Sequence, residues 1–261
     1  MGNSIVIKMG GGTIGATDTT YEDVVNLSKS DISPVIVHGG GSTATGWLND
    51  LGIKTNFVNG LRVTDNDVLK VVTAVLTGLV NKNIVAAIHR SGGRALGISG
   101  IDDAMVIAEI RNPELGEVGV IKQVDPNLIL VAIDNGMIPV ISPISLTPGP
   151  DFSVVNVNAD SVAGAVANSL KSEKVIFLTD VPGVLDGTGK VIPLIYGDEV
   201  PGLIEDKIIV DGMIPKIEAC LNALNHTGSA QIVDGRVEHS LISAVKDNIG
   251  TTIKKRETKG V

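Results

Sequence analysis

The sequence predicts an α/β sandwich built on a mostly parallel central sheet. Three observations carry this expectation. The aliphatic runs at 5–7, 35–37 and 175–178 are continuous rather than alternating, the pattern of strands buried on both faces. Such runs alternate along the chain with helical patterns, as successive βα units do. Two of them stop abruptly on glycines, IVIKMGGG at 5–12 and PVIVHGGG at 34–41. Without Cβ atoms, the backbone N–H groups of such turns approach an anion closely.

In chain order, strand 4–9 is followed by helix 20–30, strand 34–38 and helices 42–51 and 65–90. Segments 94–98, 104–110 and 117–123 are consecutive strands broken by Gly and Asn-Pro, which predicts a hairpin laid at the sheet edge. Helix 125–136, strand 138–141, the alanine-rich helix 159–171 and strand 174–178 follow. DGTG at 186–189 lies between VPGVL and KVIPLI and predicts a second hairpin. Helix 213–226, strand 230–233 and helix 237–248 complete the series, and the tail KKRETKGV reads as a solvated end. The polar KSEK at 171–174 suggests a lobe boundary, dividing 1–172 from 173–261. There is no internal repeat.

Composition narrows the function. Of 261 residues, 43% are hydrophobic and only 2% aromatic, so the core is aliphatic and base-stacking platforms are scarce. A net charge of -8 argues further against a nucleic-acid partner. The one cysteine, Cys220, fits a reducing cytoplasm and reads as a small core residue. MGNSIVIK runs directly into a strand, and no apolar run reaches the roughly 20 residues of a membrane helix, so a cytoplasmic chain without a membrane partner is expected.

Several glycine motifs compete for the first turn. Gly10, Gly12 and Gly15 match a dinucleotide fingerprint, but that motif wants a carboxylate at the end of the next strand, where His38 and Gly39 stand. HGGG at 38–41 matches an esterase oxyanion loop, but no G-x-S-x-G elbow accompanies it. There is no G-x-x-x-x-G-K-[ST] and no protein-kinase signature. Histidines 38, 89, 226 and 239 show no metal-ligand spacing. What remains is a phosphate site of backbone N–H groups and lysines. Lys8 stands at a strand end just before Gly10, either snorkelling to the edge or facing a ligand. In NVNAD at 156–160, either Asn158 or Asp160 suffices to cap the helix, leaving the other polar groups for another task. Lys216, in DGMIPK at 211–216, is open to both surface and ligand readings.

The ordered set VIKMGGG, VHGGG, GLRVTD at 60–65, SPI, NVNAD, LTDVPGVLD at 178–186 and DGMIPK resembles the amino acid kinase family, most closely its acetylglutamate-phosphorylating branch. The resemblance implies a three-layer αβα sandwich. Its N-terminal lobe would bind the acyl acceptor, N-acetyl-L-glutamate, and its C-terminal lobe ATP. It implies a homodimer, with the long helix after GLRVTD in the interface. The helix that joins dimers into hexamers in arginine-inhibited members has no counterpart before strand one, so weak arginine inhibition is expected.

The implied reaction transfers the γ-phosphoryl group of ATP to a side-chain carboxylate in arginine biosynthesis. By the same resemblance, Lys8 and Lys216 stabilise the transferring group and Asp160 holds both lysines. Gly10 and Gly11 meet the phosphates, while Gly40 and Gly41 hold the reacting carboxylate. Arg62 forks onto the acceptor's α-carboxylate, with Asn156 and Asn158 beside it. Thr179, Asp180, Val181, Pro182, Gly183, Val184 and Leu185, with Ile208, Ile209 and Val210, surround the adenosine. Mg²⁺ rides mainly on the ATP phosphates, so no dedicated protein ligand is assigned. An aminoadipate-carrier kinase of lysine synthesis and a non-catalytic amino-acid sensor are the rival functions. NVNAD favours the acetylglutamate acceptor over the first, and intact Lys8, Asp160 and Lys216 disfavour the second.

Overall fold

The computed structural model describes residues 3–10, 19–210, 212–247 and 249–256. The strand β1 (Asn3–Met9) is followed by α1 (Thr20–Ser28), β2 (Ile32–His38) and α2 (Gly41–Asp50). A short hairpin, β3 (Phe57–Val58) and β4 (Leu61–Arg62), leads into α3 (Asn66–Thr73). A π-helical stretch, Ala74–Val80, joins α3 to α4 (Asn81–Arg90) as one long helix. Then come β5 (Ala95–Ser99), β6 (Val106–Ile110), β7 (Val118–Val124), α5 (Asn127–Asp134), β8 (Ile138–Ser142), β9 (Ile144–Leu146) and β10 (Val154–Val157). The remainder is α6 (Ala159–Leu170), β11 (Lys174–Thr179), β12 (Leu194–Tyr196), α7 (Val200–Glu205), α8 (Met213–Ala223), β13 (Ser229–Asp234), α9 (Ser240–Asp247) and β14 (Thr251–Lys254).

Eight strands form one sheet in the order β12-β14-β13-β11-β1-β2-β8-β5. Only the β13–β14 pairing is antiparallel, so the sheet is mostly parallel, as the continuous aliphatic runs imply. The alternation of side chains along β1 shows why those runs are unbroken. Val6 packs with α6 and α8 on one face. Ile5, Ile7 and Met9 pack with α1, α4 and α9 on the other. Two helical layers thus cover the two faces of one sheet.

Residues 94–123 depart from the expected edge hairpin. β5 joins the main sheet at its edge, parallel to β8. β6 and β7 do pair antiparallel, but they close with β9 and β10 into a separate four-stranded barrel. Pro143 interrupts the chain between β8 and β9, and a proline cannot continue a ladder. Val106, Ala108, Val155 and Val157 then turn into the core shared with α6. The DGTG turn does form a small hairpin: Asp186 N donates to Lys190 O at 2.8 Å, and Ile192 N to Val184 O at 2.8 Å.

Two other expectations are corrected. The 25-residue helix Asn66–Arg90 has a mean hydropathy of 1.7 over its most apolar window and is long enough to span a bilayer, so such a run does exist. Half of that window is buried within the fold. The tail is also not free from its start. Lys254 ends β14, and Arg256 pairs with Asp198 at 2.8 Å and Glu199 at 2.6 Å while stacking 4.4 Å over Tyr196. Residues 257–261 lie outside the described set.

Candidate active site

The site gathers at the carboxyl ends of β1, β2 and β11, where ligands of open parallel sheets sit. Lys8 is two residues after Val6 and so points to the α6 face of the sheet. Asp160 is in the first turn of α6, directly in front of it. Helices α6 and α8 approach so closely that a Cβ on Gly164 would lie 2.6 Å from Ala219 O. One turn upstream of that contact stand Asp160 on one helix and Lys216 on the other. Lys8 Nζ lies 2.8 Å from Asp160 Oδ1, and Lys216 Nζ lies 3.2 Å from Asp160 Oδ2. Burial works against ionisation of Asp160, but the two ammonium groups outweigh it and hold its pKa below the ordinary value. A carboxylate shared by two lysines leaves one positive charge in excess at the mouth of the sheet.

The second glycine turn lies beside this cluster. Gly40 adopts φ 137°, and a Cβ there would come within 2.8 Å of Leu76 Cδ2, so only glycine fits. Helix α2 starts immediately after it and receives no side-chain cap, which leaves N–H groups of its first turn open to an anion. Arg62 faces the same turn. Its Nη2 donates to Gly41 O at 2.9 Å and Thr45 Oγ1 at 2.8 Å, its Nη1 to Thr55 Oγ1 at 3.2 Å, and it stacks 4.6 Å over Phe57. The residue is buried at 7% exposure. Among the described residues no carboxylate lies within ion-pair distance of it, although buried guanidinium groups ordinarily pair with one.

The polar residues of NVNAD divide their tasks. Asn158 caps α6, its Oδ1 accepting from Asp160 N at 2.8 Å and Ser161 N at 3.1 Å. That releases Asp160 to bind the lysines. Asn156 Nδ2 donates to Thr64 Oγ1 at 3.2 Å. Asn156, Asn158, Gly40, Gly41 and Arg62 all line one cavity of about 180 Å³, with Leu76 and Val72 forming its apolar wall.

On the other side of β1, Thr179 ends β11 and its Oγ1 donates to Asp180 at 3.2 Å. The chain then runs through Val181, Pro182 and Gly183, where Val184 N donates to Thr251 Oγ1 at 2.8 Å. Val184 and Ile209 are fully buried, whereas Leu185 and Val210 are exposed. Ile208 and Ile209 are anchored by N–H bonds to Leu203 O at 2.9 and 3.0 Å. Gly10 ends the first described segment, while Gly11 lies outside the described residues. Sequence reasoning did not single out His38 and Asn81 as site residues. His38 is buried, with Nδ1 2.7 Å from Gly39 O and Nε2 3.1 Å from Asn81 Nδ2. No local signal marked Asn81, which opens α4 beside Lys82 and a second amide, Asn83.

A family model described as "Amino acid kinase family" matches residues 3–234. The chain belongs to the amino acid kinase family. Among curated relatives of this amino acid kinase, the acetylglutamate kinase of Dehalococcoides mccartyi (strain BAV1) is 42% identical, over 95% of this chain and 93% of that one. The acetylglutamate kinase of Kosmotoga olearia is 42% identical over 98% and 93%. Among solved structures, smu.665 of Streptococcus mutans UA159 superposes with a TM-score of 0.84 at 29% identity, covering 97% of this chain and 99% of that one. Giardia lamblia carbamate kinase, at TM-score 0.72 and 14% identity over 97% and 99%, shares the fold. These neighbours and the sheet flanked by two helical layers establish the three-layer arrangement for this amino acid kinase.

Proposed function

We propose that this chain transfers the γ-phosphoryl group of ATP to the side-chain carboxylate of N-acetyl-L-glutamate, forming N-acetyl-L-glutamyl 5-phosphate for arginine biosynthesis. The observation that carries this reading is Arg62, a buried guanidinium without a carboxylate partner among the described residues. It faces an uncapped helix start across a cavity beside a Lys–Asp–Lys cluster. Two anion receptors a short distance apart suit an acceptor with two carboxylates.

Residues 1–172 would then form the acceptor lobe and 173–261 the nucleotide lobe, meeting where β1 pairs with β11. Arg62 holds the α-carboxylate, with Asn156 and Asn158 beside it. The N–H groups of Gly40 and Gly41 hold the side-chain carboxylate. Gly10 and Gly11 meet the phosphates, and residues 179–185 and 208–210 flank the adenosine. A carboxylate is ionised at neutral pH, so no general base is needed. Nearby His38 already commits both ring nitrogens to protein partners. A carboxylate oxygen attacks phosphorus, the bond to the β–γ bridging oxygen breaks, and ADP leaves with that electron pair. The obstacle is repulsion between two anions, and Lys8 and Lys216 lower it from opposite sides. Among the described residues no three His, Cys, Asp or Glu side chains are grouped to hold a metal. Mg²⁺ would enter on the triphosphate, where it screens phosphate charge. A homodimer through the long helix Asn66–Arg90 and a cytoplasmic location complete the proposal.

Purified protein with ATP and Mg²⁺, trapped with hydroxylamine, tests it against a panel of acceptors. N-acetyl-L-glutamate should give the highest hydroxamate yield. A higher yield with an N-acylated aminoadipate, one methylene longer, would replace the acceptor assignment.

A further inference from the structure

The Gly39–Gly40 peptide has glycine on both sides, so its plane can flip at little steric cost. One face of this peptide is nevertheless tied down. Gly39 O lies 2.7 Å from His38 Nδ1. The imidazole is itself held through Nε2, which lies 3.1 Å from Asn81 Nδ2. The directions of these bonds can be assigned in sequence. Asn81 Nδ2 also faces two carbonyl oxygens, Ile98 O at 3.2 Å and Val140 O at 2.9 Å, while Asn81 Oδ1 receives Lys82 Nζ at 3.0 Å. Carbonyl oxygens only accept and an ammonium only donates, so the amide orientation is fixed. Gly39 O likewise only accepts, so the proton of neutral His38 sits on Nδ1, and Nε2 is left as one of three acceptors that share the two hydrogens of Asn81 Nδ2. Nδ1–H then donates to Gly39 O.

A trans peptide is planar, so fixing the carbonyl fixes the N–H of the next residue in the opposite direction. That N–H belongs to Gly40, which lines the cavity beside Arg62. No backbone acceptor takes it among the described residues.

We infer that His38 and Asn81 are positioning residues that lock the Gly39–Gly40 peptide with its N–H turned toward the acceptor's reacting carboxylate. The role rests on the carboxylate reading of Gly40 given above. Lys82 keeps the amide in register, its Nζ bonded also to Gly97 O at 2.9 Å. Burial first, and then the charges of Lys82 and Lys8, lower the His38 pKa to about 4 against the opposing hydrogen bond to Gly39 O. The ring therefore stays neutral, and the tether intact, throughout the neutral range.

Two measurements test this. Multiple-bond ¹H–¹⁵N correlation spectra of the wild-type protein report each histidine's tautomer, with His38 assigned by the signals lost in H38N. The expected result is an Nδ1–H tautomer, unchanged from pH 8 down to pH 5.5. An Nε2–H tautomer or an imidazolium in that range overturns the proposal. Kinetics supply the second arm. H38L removes the donor, while H38N keeps a side-chain N–H at the position of Nδ1. H38L should lower kcat/KM for the acceptor by at least about tenfold, with KM for ATP within about twofold of wild type. H38N should recover most of the loss. Equal damage in both variants, or wild-type kcat/KM in folded H38L, overturns the proposal. Should H38L fail to fold, the tautomer decides alone. Failure of the functional reading itself would look different, because the wild-type protein would then form no acyl phosphate from N-acetyl-L-glutamate.

Discussion

Lys8 and Lys216 share one carboxylate, that of Asp160, at 2.8 and 3.2 Å. Lys8 comes from the central strand β1 and Lys216 from the start of helix α8. The carboxylate spaces two cations that would otherwise repel each other, and it keeps both at the end of the sheet where a transferring phosphoryl group needs them.

Lys8→Ala and Lys216→Ala should each lower kcat on the order of 10²-fold or more, because each removes positive charge from the transferring group. Steady-state kinetics at saturating ATP and acceptor check this. Thermal unfolding should show both variants folded.

Asp160→Asn should destabilise the protein, since it leaves two lysines near a neutral group; breaking a buried pair costs about 3–5 kcal/mol. The effect depends on pH with a definite sign. The folded pKa of Asp160 lies below its ordinary value of 3.8. The pair's contribution is therefore complete above that value and is lost as pH falls through the lower folded value. Urea unfolding of wild type and D160N should show a constant gap from pH 5 to pH 7 that narrows below pH 3.8.

The site was only partly readable before folding. Lys8 and Asp160 stood out because a lysine at the end of a buried strand and an extra acid beside a helix cap each lack a local explanation, whereas Lys216 read equally well as surface charge and took its role only from the family resemblance. The division of labour inside NVNAD was not legible, since Asn158 and Asp160 are equally good caps in sequence and only the two lysines decide between them. Eight strands were legible as short apolar segments between turn residues, and three of them, β1, β2 and β11, as continuous aliphatic runs. β14 (TTIK), β12 (LIY) and the barrel strands β9 and β10 were not, being short or interrupted by polar residues. Helix α7 carries a proline and a glycine in six residues and gave no helical signal. The His38–Asn81 contact joins residues 43 apart in sequence, a separation no local pattern reports.

Arg62→Lys should raise KM for the acceptor with KM for ATP unchanged. The guanidinium reaches Thr55, Gly41 O and Thr45 from two nitrogens while stacking on Phe57. An ammonium is a point donor that cannot reproduce this fork. Initial-rate measurements with each substrate varied in turn check the split, and an unchanged acceptor KM would remove Arg62 from the site.

Gly40→Ala should damage both stability and acceptor binding. Alanine at φ 137° is strained, and its Cβ would press on Leu76 at 2.8 Å and Val80 at 3.0 Å. A loss of about 1–3 kcal/mol in urea unfolding is expected. Acceptor KM should rise as the turn is displaced.

The central claim is that a side-chain carboxylate, held by the second glycine turn, attacks the γ-phosphorus directly. N-acetyl-L-glutamate labelled with ¹⁸O in both side-chain carboxyl oxygens tests it. Hydroxylamine cleaves the acyl phosphate at the carbonyl carbon, so the bridging oxygen leaves with phosphate. The account predicts hydroxamate and phosphate in equal amounts, the phosphate carrying one ¹⁸O by its shift in the ³¹P NMR spectrum. Unlabelled phosphate, or phosphate released without hydroxamate, would mean that water rather than the carboxylate takes the phosphoryl group and would contradict it.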